Sequence, residues 1–151
     1  LNATSGANVT YTNIQGVDFY GAQDTDNAMG GGGSLNPVVL NWSGINISGF
    51  TNLNLSWFVA EDDAADGNED WDRSSSVRLE VQIDGGGFSN LFAIESISAT
   101  DLNQEPSVDT DFDGVGDGTV ITDPFAKFNN AIENAITYEC NQMLDLTILT
   151  K

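Results

Sequence analysis

The amino-acid sequence predicts an all-β fold, a two-sheet antiparallel β-sandwich. Apolar and polar residues alternate along several short segments, which is typical of strands with one buried face. Turns rich in Gly, Asp and Asn separate these segments. With 151 residues, of which 40 % are hydrophobic, the chain is long enough to bury one core, so we expect a single domain over residues 1–151.

The strands are assigned from this alternation. Segment 77–83 has apolar residues at its odd positions and polar residues at its even positions, and segment 53–59 follows nearly the same rule. The glycine-rich segment 84–87 predicts a tight turn into a strand at 88–94. Further strands are predicted at 9–14, 17–20, 38–42 and 143–149. By position in their strands, Trp42 and Trp57 are expected in the core.

Segment 125–136 permits two interpretations. Asp123 followed by Pro124 is typical of a helix start, and apolar residues recur at helical spacing as far as Ala135. The local pattern therefore favours a helix. The alternative is a strand over 126–132.

The charge of the chain is strongly one-sided. Twenty-three acidic residues face four basic ones and no histidine, which gives a net charge of −19. Such a chain repels nucleic acid and anionic lipid and attracts cations. Fourteen of the acids lie in two segments, 61–72 and 101–123. Bound metal is the simplest way to relieve repulsion within these segments.

Residues 109–117 form the most specific motif, D-x-D-x-D-G-x-x-D. Carboxylates at alternate positions and a glycine at the sixth are the ligand order of a calcium loop, since Ca²⁺ takes six to eight oxygen ligands. Gly114 permits the sharp bend. The expected ligands are the side chains of Asp109, Asp111 and Asp113, the carbonyl of Val115, and Asp117 directly or through water.

The usual glutamate at the twelfth loop position is missing, because Val120 stands there. Either Asp123 substitutes for it or calcium affinity is modest. The alternative interpretation of the motif is a solvated acidic loop without metal.

Two further groups of acids are weaker metal candidates. If strands 52–60, 77–83 and 88–94 run antiparallel in succession, segments 61–76 and 95–118 lie at the same end of the sandwich. A shared or paired calcium cluster is then sterically reasonable. The candidates are Glu61, Asp62, Asp63, Asp66, Asp70 and Asp72 in the first acidic segment, with Asp24 and Asp26 joining through the fold.

Trp71 lies inside the first acidic segment. Its indole has two interpretations: an exposed platform that stacks on a sugar ring, or a ring that folds over the loop and shields the ion. The second is favoured over the first.

Catalysis is not expected. Without histidine, the Ser-His and Cys-His nucleophilic arrangements are excluded. A two-carboxylate glycosidase is chemically conceivable. However, most of the acids lie in loops at metal-like spacing and not on apolar strands, where desolvation would raise a catalytic pKa.

Cellular location is inferred from calcium and cysteine. Weak acidic loops need millimolar calcium, which is found mainly outside cells, so an extracellular protein is expected. Cys140 is the only cysteine, which excludes an intramolecular disulfide framework. No run of 18 apolar residues occurs, so membrane insertion is not expected.

Five segments, in order along the chain, carry a resemblance to a known type of module. They are DFYGAQDTD (18–26), INISGFTNL (45–53), FVAEDD (58–63), VQIDGGGF (81–88) and DTDFDGVGDGTVIT (109–122). Together they resemble the jelly-roll accessory modules of secreted bacterial proteins, which are appended to extracellular nucleases and surface adhesins. The resemblance covers about residues 17–149. It implies a two-sheet jelly roll, extracellular placement, no catalysis, and a strand at 126–132, which we adopt over the helix.

The chain departs from this module type at its ends. Such modules usually close with a further strand carrying an Asp-Asn pair, whereas this sequence stops at Lys151. A terminal strand is therefore expected to be missing, and an unfilled sheet edge could accept a strand of another chain. The expected function is an extracellular calcium-binding module that binds a glycan or a cell-surface or matrix component. The alternative is a structural subunit of a filament or surface layer, assembled by strand complementation.

Overall fold

The structure is a computed structural model that describes residues 3–4, 10–11, 38–60, 71, 75–100, 104–122, 126–132 and 143–150. Every regular element in these ranges is a strand, so the all-β prediction is confirmed for them. The strands are β1 (Ala3–Thr4), β2 (Thr10–Tyr11), β3 (Val38–Asn46), β4 (Asn54–Val59), β5 (Ser76–Ile83), β6 (Ser89–Ser96), β7 (Pro106–Val108), β8 (Ala126–Ala131) and β9 (Met143–Thr150). Among the described residues there is no helix with the length and apolarity needed to cross a membrane.

The larger sheet has five strands in the order β3-β9-β5-β6-β7, and every neighbouring pair is antiparallel. The predicted hairpin at 84–87 joins β5 to β6, with Asp84 and Gly85 at φ values of 52° and 68°. The pairing register between β5 and β6 shifts at Leu79 and Glu80: Leu79 pairs with Phe92 and Glu80 with Asn90, so Leu91 of β6 has no partner in the ladder. This bulge lets Leu91 and Phe92 both contact the core.

The smaller sheet consists of β4 and β8, again antiparallel, and its side chains pack on the larger sheet. Leu79 and Ile94 are each 1 % exposed at the centre of this core. The Trp57 ring from β4 meets Phe92 of β6 edge-on, with centroids 4.5 Å apart, as expected for a core tryptophan. Phe128 of β8 completes the aromatic group, 4.8 Å from Phe92.

Segment 125–136, for which the sequence allowed a helix or a strand, contains strand β8. The predicted strand at 126–132 is confirmed there, and the helix favoured by the local pattern is wrong. Phe128 pairs with Trp57 in the ladder. The Asn130 side chain accepts a hydrogen bond from Trp57 Nε1 at 3.1 Å and donates one to the Leu91 carbonyl at 3.1 Å. These long-range contacts favour the extended backbone, and tertiary contacts of this kind override local propensity.

Strand β4 pairs with β8 and not with β5, so β4 and β5 lie in different sheets. One other expectation is corrected. Trp42 is not a core residue, because it is 44 % exposed. The predicted strand at 9–14 is represented by β2, whereas the predicted strand at 17–20 and Cys140 lie outside the described residues.

The two acidic segments nevertheless meet at one point. The Gln104 backbone N–H donates to the Trp71 carbonyl at 2.9 Å, and the two residues form an antiparallel bridge. The chain that leads into β5 therefore lies beside the chain that follows β6. This is the end of the larger sheet at which β7 begins.

Candidate metal centre

The motif at 109–117 starts directly after β7 and is held at both ends by backbone hydrogen bonds. Asp109 N–H donates to the Ala93 carbonyl at 3.0 Å, which attaches the start of the loop to β6. Asp117 N–H donates to the Val108 carbonyl at 3.0 Å and closes the loop. Gly116 N–H reaches the Ser96 carbonyl at 2.9 Å. The loop is therefore a closed unit on the edge of the sheet.

Asp109 is the buried residue of the motif, only 2 % exposed. Its Oδ1 accepts a hydrogen bond from Phe112 N–H at 2.7 Å, and its Oδ2 accepts one from Gly114 N–H at 2.9 Å. These charge-assisted bonds bend the loop around the carboxylate, which explains how the charge is accommodated in a buried position. Gly114 adopts a φ of 93°, which confirms the reason for a glycine here.

Asp111 and Asp113 are exposed and each accepts a hydrogen bond from the backbone two residues later. Asp111 Oδ1 takes the Asp113 N–H at 3.3 Å, and Asp113 Oδ1 takes the Val115 N–H at 2.9 Å. Each carboxylate oxygen has two lone pairs. One backbone bond therefore leaves both carboxylates with free capacity to bind a cation.

The three carboxylates form a group that could hold a metal ion. One oxygen from each of Asp109, Asp111 and Asp113 lies within 4.8 Å of the others. Two oxygens that share one Ca²⁺ at 2.3–2.6 Å cannot be more than about 5 Å apart. The observed spacing is therefore compatible with a single ion bound by all three side chains.

Among the described residues, no basic side chain forms a salt bridge with this group. The one salt bridge among the described ranges joins Arg78 to Glu95 at 2.7 Å, on the neighbouring strands. The Lys127 ammonium lies 5.9 Å from the centroid of the Phe58 ring. Two carboxylates about 4 Å apart repel by about 1 kcal/mol even in water. A bound cation would remove this repulsion.

Asp117 makes hydrogen bonds that the motif did not suggest. Its Oδ1 accepts two hydrogen bonds from Thr110, from the backbone N–H at 2.9 Å and from the hydroxyl at 2.8 Å. Asp117 therefore braces the loop across its open end and is not a member of the three-carboxylate group. Ligation by Asp117, directly or through water, and ligation by the Val115 carbonyl stay predictions.

The hydrogen bonds from Thr110, the backbone one first, hold the pKa of Asp117 below its ordinary value of 3.8. A depressed pKa in the folded state adds stability above the unfolded pKa, and this stability is lost as pH falls through the folded pKa. In metal-free buffer, Asp117→Asn should therefore reduce the free energy of unfolding at pH 7. We expect the difference from the wild type to shrink as pH falls below the ordinary carboxyl pKa and Asp117 becomes protonated. Urea unfolding at several pH values measures this. A difference that stays constant with pH would contradict it.

Two glycines after the bend, Gly116 and Gly118, have a structural role that the calcium-loop motif did not predict. A Cβ on Gly116 would lie 2.6 Å from the Glu95 carbonyl oxygen, and a Cβ on Gly118 would lie 2.9 Å from the Val108 carbonyl oxygen. Both glycines therefore let the returning chain approach β6 and β7 closely. The spacing of glycines at 114, 116 and 118 was the available signal.

The twelfth loop position does not supply a ligand. Val120 is exposed and forms an isolated bridge with Ser107, while Ile121 behind it is fully buried in the core. This segment serves to fix the loop to the sandwich. Asp123, its suggested substitute, lies outside the described residues.

The weaker metal candidates cannot be placed. Glu61, Asp62, Asp63, Asp66, Asp70, Asp72, Asp24 and Asp26 all lie outside the described residues. Trp71 is described and is half-buried; its Nε1 donates to the Ser75 carbonyl at 2.9 Å. Its ring packs against the core cluster of Leu79 and Ile94. These contacts favour a structural role for Trp71 over a sugar platform.

Comparison with protein-family models, curated proteins and solved structures found no match for this chain. The resemblance to jelly-roll accessory modules therefore stays a prediction. The functional argument depends on the geometry of the loop and its surroundings.

Proposed function

We propose that this chain is an extracellular, non-catalytic calcium-binding module of the jelly-roll type that binds a glycan or a cell-surface or matrix component. The observation that carries the proposal is the group of three carboxylates, Asp109, Asp111 and Asp113, on a closed loop. In this proposal calcium orders the tip of the module and so shapes the surface that contacts the ligand.

Calcium is preferred over other metals because of the donor set. Carboxylate and carbonyl oxygens are hard ligands, whereas softer metals favour imidazole and thiolate. The chain contains no histidine. Mg²⁺ demands near-ideal octahedral geometry at 2.0–2.1 Å, while Ca²⁺ accepts irregular sets with longer bonds. The ligand oxygens lie within 4.8 Å of one another, which is compatible with the longer bonds of Ca²⁺.

The partners of three described carboxylates support the non-catalytic part of the proposal. Asp109 holds backbone N–H groups, Asp117 holds Thr110, and Glu95 pairs with Arg78. Each of these carboxylates has a structural partner, as expected for a scaffold. The modest ligand set supports an extracellular location, where calcium is at millimolar concentration.

The ligand proposal is tested with a glycan array probed in calcium and again after chelation with EDTA. We expect binding to at least one glycan class in calcium, reduced at least tenfold in EDTA, because removal of the ion restores the repulsion among Asp109, Asp111 and Asp113 and so loosens the loop. Addition of excess calcium to the chelated sample should restore binding. Equal binding with and without EDTA, or none in either buffer, would contradict the proposal.

One observation favours the alternative function, a subunit assembled by strand complementation. An apolar groove of about 320 Å³ lies between the sheets, lined by Trp42, Leu55, Trp57, Leu79, Leu146 and Ile148. Among the described residues β4 has a paired neighbour on one side only, so a strand added beside β4 would cover this groove. Light scattering over a range of concentrations and electron microscopy test it. Fibres or concentration-dependent oligomers favour assembly, and a strict monomer favours the binding module.

A further inference from the structure

A second cleft lies against the metal loop and has a different chemistry. Its volume is about 590 Å³, within the range of small-molecule sites. Its lining includes Phe112 and Asp117 of the loop, Thr119 just after the loop, and Phe128 of β8. The three-carboxylate group and this cleft therefore share one loop.

The lining combines aromatic and polar groups. Phe112 and Phe128 contribute aromatic side chains, while Asp117 and Thr119 contribute carboxylate and hydroxyl oxygens. Asn130 also lines the cleft, but its amide already bonds to Trp57 and Leu91. A sugar ring has one apolar C–H face and a rim of hydroxyls, which matches an aromatic wall beside oxygen acceptors.

Phe112 is an unusual residue in this position. It has a φ of 62°, in the left-handed region that bulky side chains rarely adopt, and its side chain is 41 % exposed. Neither the backbone nor the core explains a phenylalanine here. Its N–H donates to Asp109 Oδ1 at 2.7 Å, so the residue that orders the metal loop also positions the ring. Strained residues of this kind concentrate at ligand sites.

Charge narrows the ligand class. The net charge of −19 and the carboxylate of Asp117 disfavour an anionic ligand. The proposed Ca²⁺ is held by three carboxylates, so the ion site keeps a net charge of −1 and does not repel a cation. The choice of a neutral, hydroxyl-rich ligand over a cationic one therefore depends on the aromatic and hydroxyl groups that line the cleft.

We propose that this cleft is the sugar-binding subsite of the module, in which Phe112 stacks on the C–H face of a neutral sugar. At the hydroxyl rim of the sugar, Asp117 accepts hydrogen bonds and Thr119 accepts or donates them. The inference rests on the proposed glycan-binding function and specifies its site. Calcium acts on the subsite indirectly, by fixing the loop that carries Phe112. It does not itself need to touch the sugar.

The test compares variants of the 151-residue chain by isothermal calorimetry in calcium-containing buffer. The probes are neutral oligosaccharides from β-glucan, mannan and chitin, with alginate as an acidic polysaccharide and a lysine-rich peptide as a cation. Phe112→Ala keeps a Cβ at the same positive φ, so the comparison isolates the ring. Phe88→Ala is the matched control, because Phe88 is 50 % exposed and follows the hairpin turn at the opposite end of β6.

We expect the wild type to bind a neutral oligosaccharide and Phe112→Ala to bind it roughly tenfold more weakly. Thr119→Val, which keeps the shape of the side chain, should also weaken binding, and Phe88→Ala should not. Calcium affinity of Phe112→Ala should stay within about threefold of the wild type, since no ligand oxygen is removed.

The outcomes separate this inference from the proposed function. If the wild type, Phe112→Ala and Thr119→Val all bind a neutral sugar with equal affinity, the sugar binds elsewhere. That result would overturn the proposed subsite but not the proposed function. If the wild type binds alginate or the lysine-rich peptide but none of the neutral sugars, the proposed ligand class is wrong. A wild type that binds none of the probes contradicts the proposed glycan binding itself.

Discussion

Replacement of Asp109 by alanine is expected to lower the free energy of unfolding by about 2 kcal/mol in metal-free buffer. The change leaves the N–H groups of Phe112 and Gly114 without their buried acceptor. Hydrogen bonds to a charged group contribute about 2 kcal/mol each. Relief of repulsion from Asp111 and Asp113 returns about 1 kcal/mol for each of the two pairs. Urea unfolding monitored by tryptophan fluorescence measures the effect.

The same variant should also lose its response to calcium. An ion at one hundred times its dissociation constant stabilises the folded wild type by about 2.7 kcal/mol. For a chain of this size, this corresponds to a rise in melting temperature of roughly 5–10 °C. We expect this rise in the wild type and its absence in Asp109→Ala.

Asp111→Ala provides the matched control for Asp109→Ala. Asp111 is exposed, and its one described backbone bond is long, at 3.3 Å. Its removal should change metal-free stability by less than about 1 kcal/mol, as is usual for exposed residues, and still abolish the calcium response. If both variants lost equal stability without metal, or if either kept the full calcium response, the account of the loop would be wrong.

The second large effect is expected for Gly116→Ala, at about 3 kcal/mol of unfolding free energy. The new methyl group would lie 2.6 Å from the Glu95 carbonyl oxygen and 2.8 Å from the Ser107 Cβ. The Glu95 oxygen belongs to the backbone of β6, so it cannot move aside without disturbing the sheet. The loop must then shift, and its bond from Gly116 to Ser96 is strained or lost.

Gly87→Ala is the matched control for this substitution. A Cβ at Gly87 meets nothing within 4 Å, and its φ lies outside the left-handed region. Alanine at position 87 should leave the free energy of unfolding unchanged or raise it by up to about 1 kcal/mol, because alanine makes the unfolded chain less flexible than glycine does. Thermal unfolding of the two variants side by side measures the contrast. Similar melting temperatures would show that the close approach at Gly116 is not a constraint.

The features that the sequence predicted well are local ones. The bend at Gly114, the turn at 84–87 and the alternation along β5 each depend on a few adjacent residues. A glycine can adopt a positive φ whatever its distant neighbours are, and the alternation of side chains along a strand is visible within a few residues. The structure accordingly confirms the hairpin, the strand and the bend.

The features that the sequence predicted poorly depend on partners far along the chain. Strand β8 has a helical pattern, yet the contacts of Asn130 with Trp57 and Leu91 fix it as a strand. Trp42 follows the parity of a core residue, but nothing in its own segment reveals how much of β3 the second sheet covers. The brace between Asp117 and Thr110 is likewise invisible to a motif that treats every acid as a ligand.

Calcium uptake by the purified chain, measured by equilibrium dialysis for the wild type and Asp111→Asn, tests the central claim most directly. We predict saturable uptake of at least one ion by the wild type, weakened at least tenfold in Asp111→Asn at unchanged metal-free stability. No uptake by the wild type, or equal uptake by both proteins, would contradict a metal centre at Asp109, Asp111 and Asp113.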